Sequence, residues 1–241
     1  MLVKDKKAFG KGLLLMITFF IILALMFIPL MGGGTQPREN ALEAADRLFN
    51  AISKGSTNYM PDLLKKVGPY KGKSFTATIK LQDEQMAQKA SKLLAAGGAQ
   101  AKAEAGNQLA VSGDLGQVLE AAIKDSEAMF NNREGELSSR YGIPGKEALF
   151  VWWNVCKEVH RELYRAQRFK EGDLVTEVVQ KGVEAGYNFF GIVPETVRSK
   201  VGILTFSLIF YVVYTLWWGV AILYIFEGLG LQLKAGAKKE V

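Results

Sequence analysis

The amino-acid sequence predicts an α+β membrane protein. Two transmembrane helices, one N-terminal and one C-terminal, flank a mostly helical extracytoplasmic domain that contains a small ferredoxin-like β-α-β-β-α unit. Two observations predict this fold class. Residues 13–31 and 201–226 contain no Asp, Glu, Lys or Arg, although 22% of the 241 residues are charged. Between these blocks, hydrophobic residues recur with helix and strand periods. This segregation excludes a soluble single domain and a disordered chain, and the single cysteine excludes a disulfide scaffold.

The first apolar block, residues 13–31, has the length of a transmembrane helix. A helix needs about 20 residues to cross a hydrocarbon core about 30 Å thick. A signal peptide is the alternative, because lysines precede the block. The apolar core of a signal peptide is normally only about 7 to 15 residues long and is followed by an A-x-A site, which this sequence lacks. An uncleaved anchor is therefore favoured, with Pro29 near its outer end.

The second block, residues 201–226, carries a cluster of aromatic residues: Tyr211, Tyr214, Trp217, Trp218 and Tyr224. Tyr and Trp favour the depth of the lipid headgroups, but most of this cluster would lie near the middle of the span. Rings at that depth either face lipid or pack against a partner helix, and both alternatives stay open. The interface candidates in this span are Tyr214, Trp217 and Trp218.

The flanking charges predict the orientation. The residues before the first block carry a net charge of +3 and the tail after Phe226 carries +1, so both ends are expected in the cytoplasm. The exported residues then hold only +2 of the total of +6, which indicates topology and not nucleic-acid binding. We expect a two-pass protein of the bacterial inner (plasma) membrane with these segments: 1–12, cytoplasmic N-terminus; 13–31, first span; 32–69, linker and helical arm; 70–143, ferredoxin-like unit; 144–200, helical hairpin leading into the membrane; 201–226, second span; 227–241, cytoplasmic tail.

The exported part starts with a linker and an arm. The three glycines at 32–34 predict a flexible link, and residues 38–53 and 61–67 have helical patterns. These two helices are expected to form a stalk or a packing arm.

The ferredoxin-like unit follows from a change of period. Residues 74–81 alternate apolar and polar side chains, as in a half-buried strand. A helix capped by Asp83 comes next, then a hairpin that turns at residues 106–107 and a second helix capped by Asp114. The order β-α-β-β-α is most of a split β-α-β unit. A fourth strand either lies in residues 135–143 or is missing.

The last exported segment, residues 144–200, predicts two helices. The first carries an apolar seam at 3-4-3-4 spacing: Leu149, Trp152, Cys156, Val159 and Leu163. The seam either packs into the core of its own domain or forms a subunit interface, and its residues are interface candidates on the second reading. Pro194 is expected to start a single helix of about 33 residues, about 50 Å long, that continues into the second span.

Groups capable of chemistry are sparse in this sequence. Cys156 and His160 are four positions apart, but two ligands do not complete a tetrahedral metal site. The sequence has no nucleophile elbow, P-loop or dinucleotide fingerprint. We therefore expect no metal, no cofactor and no catalysis. One edge of the first helix is basic, and we expect it to be solvated and paired with nearby glutamates: Lys157, Arg161, Arg165 and Arg168.

These observations predict a non-catalytic accessory or scaffolding subunit of a bacterial inner-membrane complex. Its expected partners are other membrane-protein subunits or copies of itself, within a lipid bilayer and without nucleic acid. The plan of terminal spans around an exported α+β domain resembles that of the polysaccharide co-polymerases, in layout and not in any motif. That resemblance implies an alternative, a homo-oligomeric assembly factor that sets glycan chain length. A small-ligand sensor built on the β-α-β-β-α unit is a further alternative.

Overall fold

The computed structural model describes residues 3–33, 36–104 and 106–231. The chain is mostly helical, with a small three-stranded antiparallel sheet and two long apolar helices that could span a membrane. Its elements in chain order are α1 (Lys6–Met26), β1 (Met31–Gly33), β2 (Gln36–Glu39), α2 (Ala41–Ser56), α3 (Met60–Val67), β3 (Ser74–Lys80), α4 (Glu84–Ala96), β4 (Gln100–Ala103), β5 (Gln108–Asp114), α5 (Leu115–Phe130), α6 (Glu134–Tyr141), α7 (Gly145–Arg165), α8 (Phe169–Val178), α9 (Glu184–Asn188) and α10 (Val201–Leu229).

The chain divides into two compact units. One unit, here called the hairpin unit, comprises the residues up to Ile52 and from Glu195 onward. The other, here called the domain unit, comprises Ser53–Pro194. The predicted glycine at position 34 and most of the predicted cytoplasmic tail, residues 232–241, lie outside the described residues.

Helix α1 differs from the predicted first span at both ends. It begins earlier, because the Asp5 carboxylate accepts hydrogen bonds from the backbone N–H groups of Lys7 (2.8 Å) and Ala8 (3.1 Å) and so caps the helix. It ends at Met26, three residues before Pro29, which has no N–H to donate and disfavours helical backbone in the residue before it. The predicted flexible link is also wrong in part, since residues 31–33 pair with β2 as an antiparallel strand.

Helices α1 and α10 pack closely through small residues. A Cβ atom added at Gly12 would lie 2.7 Å from the backbone nitrogen of Ile225 and 2.9 Å from the carbonyl oxygen of Ala221. A Cβ atom at Gly228 would lie 2.6 Å from the backbone of Phe9. Small residues at these positions let the two backbones approach, which is the packing that favours helix association in lipid.

The predicted helix of about 33 residues into the second span is found as a continuous helical segment, Val197–Leu229, but it does not begin at Pro194. Residues 192–196 are not helical, and a short 3₁₀ turn, Val197–Lys200, precedes α10. Thr196 has an extended backbone, and its hydroxyl accepts a hydrogen bond from the N–H of Ser199 (3.3 Å), so the helical structure starts with a cap at this residue. Helix α10 then runs to Leu229, three residues beyond the predicted span.

The sheet of the domain unit confirms the three strands that the sequence predicts. Its order is β3-β5-β4, and both pairs are antiparallel. Strand β3 alternates exposed and buried side chains along its whole length, as its sequence period requires. Asp83 and Asp114 cap α4 and α5 through their side chains, as predicted. The residues proposed for a fourth strand form helix α6 instead, which ends in a left-handed cap at Gly142.

The core of the domain unit lies between one face of the sheet and the helices. Helix α5 is its centre, with most of its residues buried. Helix α9 approaches α5 closely at Gly186, where an added Cβ would lie 2.6 Å from the carbonyl oxygen of Ser126. Helices α8 and α9 are joined by five residues of π-helix, Val179–Val183, so that they form one interrupted rod against α7.

Candidate functional site

The predicted seam of α7 lies inside the domain unit. Its five residues form part of the core cluster, and each is at most 3% exposed: Leu149, Trp152, Cys156, Val159 and Leu163. They pack on neighbouring helices of the same chain. Burial in apolar surroundings also raises the pKa of the Cys156 thiol to about 12, so that the thiol is protonated near neutral pH.

The predicted aromatic candidates of α10 pack against α1. The ring of Tyr214 stacks on Phe19 at 4.1 Å, and the Trp218 ring lies 4.8 Å from the same Phe19. The Tyr214 hydroxyl donates to the carbonyl oxygen of Phe19 (3.0 Å), and the Trp217 indole N–H donates to that of Leu15 (3.1 Å). The partner helix that the mid-span position of these rings suggested is thus found within this chain.

A second set of residues on α7 lies beside the buried seam, and each of them comes one position after a seam residue. Its members have the same 3-4-3-4 spacing, and we call them the α7 stripe: Phe150, Trp153, Lys157, His160 and Tyr164. Phe150 is 40% exposed and Tyr164 is 38% exposed. A shift of one residue rotates a side chain by about 100° around a helix. The seam therefore points into the core, while the stripe lines the groove between α7 and the rod of α8 and α9.

Three contacts across this groove fix the position of the stripe. The indole N–H of Trp153 donates to Glu184 Oε1 (3.0 Å). Nδ1 of His160 lies 3.0 Å from Thr176 Oγ1, and the hydroxyl of Tyr164 donates to Asp173. The stripe is therefore held in place by the domain's own polar groups, while Phe150 and Tyr164 stay partly exposed.

One end of the groove is an aromatic cleft. It has a volume of about 290 Å³ and is lined by Leu149, Phe150, Trp153, Val183, Glu184, Tyr187 and Asn188. The ammonium of Lys157 lies 4.7 Å from the centre of the Trp153 ring, and that of Lys146 lies 5.3 Å from the centre of the Tyr187 ring. Within the described part of the chain, neither lysine has a carboxylate within 4 Å. The cleft thus combines partly exposed aromatic side chains with two cations at its rim.

The other end of the groove carries the predicted basic edge. Arg161 pairs with Glu158 at 3.0 Å and Arg165 pairs with Glu162 at 2.5 Å. A third pair, between Arg168 and Glu171, is longer at 3.4 Å. The expectation of an internally paired face is therefore confirmed for the three arginines. Lys157 differs, because it lies over an aromatic ring.

Asp125 on α5 is a buried carboxylate that the sequence reasoning missed. It accepts hydrogen bonds from the Tyr141 hydroxyl (2.6 Å), the Trp152 indole N–H (2.8 Å) and the Arg140 guanidinium (2.6 Å). Burial raises the pKa of Asp125, and these donors only partly offset that effect. Burial also raises the pKa of Tyr141. The only signal in the sequence was an Asp next to the apolar stripe of a helix, and its partners come from two other helices.

Lys54 is a second buried charge of the domain unit, and it joins distant parts of that unit. Its ammonium, 4% exposed, donates to the carbonyl oxygens of Ile192 (2.6 Å) and Phe189 (2.9 Å) and to Asn132 Oδ1 (3.3 Å). Burial lowers the pKa of this lysine. The contact ties the beginning of the domain unit to its last residues, so that the chain enters and leaves the unit side by side.

Two further depressions lie one in each unit. In the hairpin unit, an apolar groove of about 410 Å³ is formed by the end of α1, the apolar face of α2 and the first turns of α10. In the domain unit, a polar depression of about 410 Å³ lies over the open face of the sheet, beside Glu162. Among the described residues, no group of three His, Cys, Asp or Glu could hold a metal ion.

Comparisons with protein-family models, curated proteins and solved structures gave no match to this chain.

Proposed function

We propose that the protein is a membrane-anchored accessory or scaffolding subunit that acts by binding another protein and is not itself an enzyme. The observation that carries this proposal is the α7 stripe with its aromatic cleft. Aromatic rings that are exposed together on a rigid helix are typical of protein contact sites, because they bury large areas with few rotatable bonds. The polar contacts across the groove hold these rings in place before any partner binds.

We infer further that α1 and α10 cross a bacterial inner membrane, with both ends cytoplasmic and the domain unit outside. Both helices are long and apolar. The Tyr214 and Trp217 donors find carbonyl acceptors on α1, which is the arrangement a hydrocarbon environment favours. The net positive charge before the first span supports the orientation.

A cysteine-accessibility scan tests this topology. Single cysteines placed on the surface of the domain unit should react with a membrane-impermeant reagent added outside the cell. Labelling of position 120 only from the cytoplasmic side would overturn the plan.

Mild-detergent extraction followed by mass measurement tests the function. We expect the full chain to leave the membrane together with a second protein in fixed stoichiometry. A homo-oligomer of defined number would favour the assembly factor suggested by the co-polymerase-like layout. A monodisperse monomer without any co-purifying protein would contradict both.

A small-ligand sensor is a second candidate, favoured by the polar depression on the sheet. Its lining includes Thr76, Thr78, Gln100, Lys102, Ser112 and Glu162. The strand order, with the first strand next to the third, and helices α4 and α5 support our inference that this is a ferredoxin-like unit without its fourth strand. Thermal unfolding of the full chain across a metabolite panel should show a stabilising compound that the variant Lys102→Glu no longer responds to. Flat results would remove this candidate.

A further inference from the structure

The aromatic cleft has a charge pattern that identifies the kind of partner it fits. Its walls are apolar, from Phe150, Trp153 and Tyr187, and Lys146 and Lys157 stand at its rim. Each ammonium lies over a ring, so the lysine stems shield the aromatic faces while the charges remain accessible to water. Glu184, the carboxylate of the cleft, accepts a hydrogen bond from the Trp153 N–H and keeps its negative charge. Two lysines against this one glutamate leave the cleft and its rim with a net positive charge.

The shape of the site favours a helix as the occupant. The α7 stripe repeats every three or four residues from Phe150 to Tyr164, which is about 21 Å of helix at 1.5 Å per residue. Helix α8 covers one side of His160 and Tyr164, so a second helix would lie along the outer edge of the stripe, which is partly exposed. It would place its own apolar residues between the stripe positions, as in a coiled-coil seam. The cleft would take one large apolar side chain of that helix.

We propose that the α7 stripe binds an amphipathic helix of a partner protein, with an apolar anchor in the aromatic cleft and flanking Asp or Glu residues that pair with Lys146 and Lys157. This inference rests on the proposed function, because it names the chemistry of the partner that such a subunit would hold. The opposite charges select the partner, since a basic helix would be repelled by the net positive charge of this site.

Photocrosslinking in intact cells that produce the full chain natively tests the proposal. Phe150 is replaced by benzoylphenylalanine, an aromatic residue at an exposed aromatic position. Tyr59, 41% exposed in the same unit, takes the same replacement as the matched control. We expect a discrete protein adduct from position 150 and not from position 59. The crosslinked peptide should map to an apolar helix with acidic residues on both sides.

Variants that change the charge at positions 146 and 157 then test the acidic character of the partner separately from the proposed function. Lys146→Glu with Lys157→Glu should reduce the adduct by about tenfold or more. Lys146→Met with Lys157→Met, which keeps the stems over the rings, should also weaken it. The pair Lys80→Glu and Lys92→Glu makes the same charge change at other exposed positions of the domain unit and should leave the adduct intact.

The possible outcomes are distinguishable. The inference is overturned if the adduct persists both in the double Glu variant and in the double Met variant of Lys146 and Lys157. It is also overturned if the adduct maps to a basic segment. The proposed function stands in either case. An adduct to lipid alone shows that this face contacts the membrane, and it also overturns the inference. If position 150 gives no adduct while detergent extraction still yields a stoichiometric partner, the partner binds elsewhere and only the inference fails. If neither experiment yields a partner, the proposed function fails as well.

Discussion

The carboxylate of Asp125 gives a direct test of what holds the domain unit together. In Asp125→Ala the Tyr141 hydroxyl and the Trp152 indole N–H lose their acceptor inside the core. A buried donor left unpaired costs about 1–3 kcal/mol. Arg140 is 47% exposed and can turn into water, so the two buried donors determine the cost. We expect the free energy of unfolding to fall by about 4 kcal/mol.

The assay is thermal unfolding of the full chain in mild detergent, followed by the near-ultraviolet circular dichroism of the buried tryptophan. A unit of this size loses about 3 °C per kcal/mol, so Asp125→Ala should unfold about 12 °C below the wild type. Asp125→Asn keeps an oxygen acceptor and removes the buried charge while losing the Arg140 pair. These effects offset each other, and the change should stay within about 1 kcal/mol. Asp62→Ala, at an exposed site, is the control and should shift the transition by no more than about 2 °C.

The pH dependence provides a second readout of the same network. Burial raises the pKa of Asp125, so the folded state holds its proton more tightly than the unfolded state. The contribution of this group to stability is therefore greatest below its ordinary pKa and falls as the pH rises through the folded pKa. Relative to wild type, Asp125→Asn should gain stability as the pH rises through that range. A cost below about 1 kcal/mol for Asp125→Ala, or a wild-type profile parallel to that of Asp125→Asn, would refute the reasoning.

Three further predictions concern other contacts. Gly12→Ala should lower the unfolding temperature of the helices in detergent, because the added Cβ would force α1 away from Ile225. Gly10→Ala is the control and should not lower it, since no atom lies within 4 Å of its added Cβ. Equal effects of the two variants would contradict the close packing at Gly12. Burial raises the pKa of the Cys156 thiol to about 12, so little of it is thiolate at pH 8. The thiol should therefore react with iodoacetamide at least about 1000-fold more slowly in the folded chain than in the denatured chain. Reaction rates within about tenfold of each other would contradict the burial of this thiol. Lys54→Met should lower the free energy of unfolding by about 2 kcal/mol and speed amide hydrogen exchange at residues 189–192. Lys65→Met is the matched control and should change neither quantity. Unchanged exchange in Lys54→Met would contradict the role of this lysine.

Features with a local cause were predictable from the sequence. Strand β3 alternates because successive side chains point to opposite faces, and this period is visible in the letters themselves. Asp83 and Asp114 cap the helices that follow them because the cap needs only a short acceptor and the next three residues. The hairpin of β4 and β5 could likewise be placed from its turn residues.

Features that depend on distant residues were not predictable. Asp125 is stable in the core because Tyr141 and Trp152 donate to it, and these residues lie 16 and 27 positions further along the chain. Lys54 depends on carbonyl oxygens that lie more than 130 positions away. A sequence window contains neither set of partners, so both buried charges had the pattern of ordinary surface residues.

The two faces of α7 show the limit of periodicity in a single case. The seam that starts at Leu149 and the stripe that starts at Phe150 have the same spacing, and both contain large apolar rings, although the stripe also contains Lys157 and His160. Periodicity alone gives the spacing of a face but not which of two adjacent faces turns inward. That choice is made by α5 and by the rod of α8 and α9, which pack on α7 from other parts of the chain.

The indole N–H groups show what the exposed rings have left to offer a partner. Trp152 donates to Asp125, Trp153 to Glu184 and Trp217 to the Leu15 carbonyl, so three of the four tryptophans are satisfied within the chain. A partner at the α7 stripe therefore meets ring faces and not unpaired donors. Apolar contact alone discriminates poorly between partners, because an added or missing methylene changes binding by only about 1–3 kcal/mol. Selectivity must then come from Lys146 and Lys157, which is why changing their charge tests the proposed partner more sharply than removing a ring.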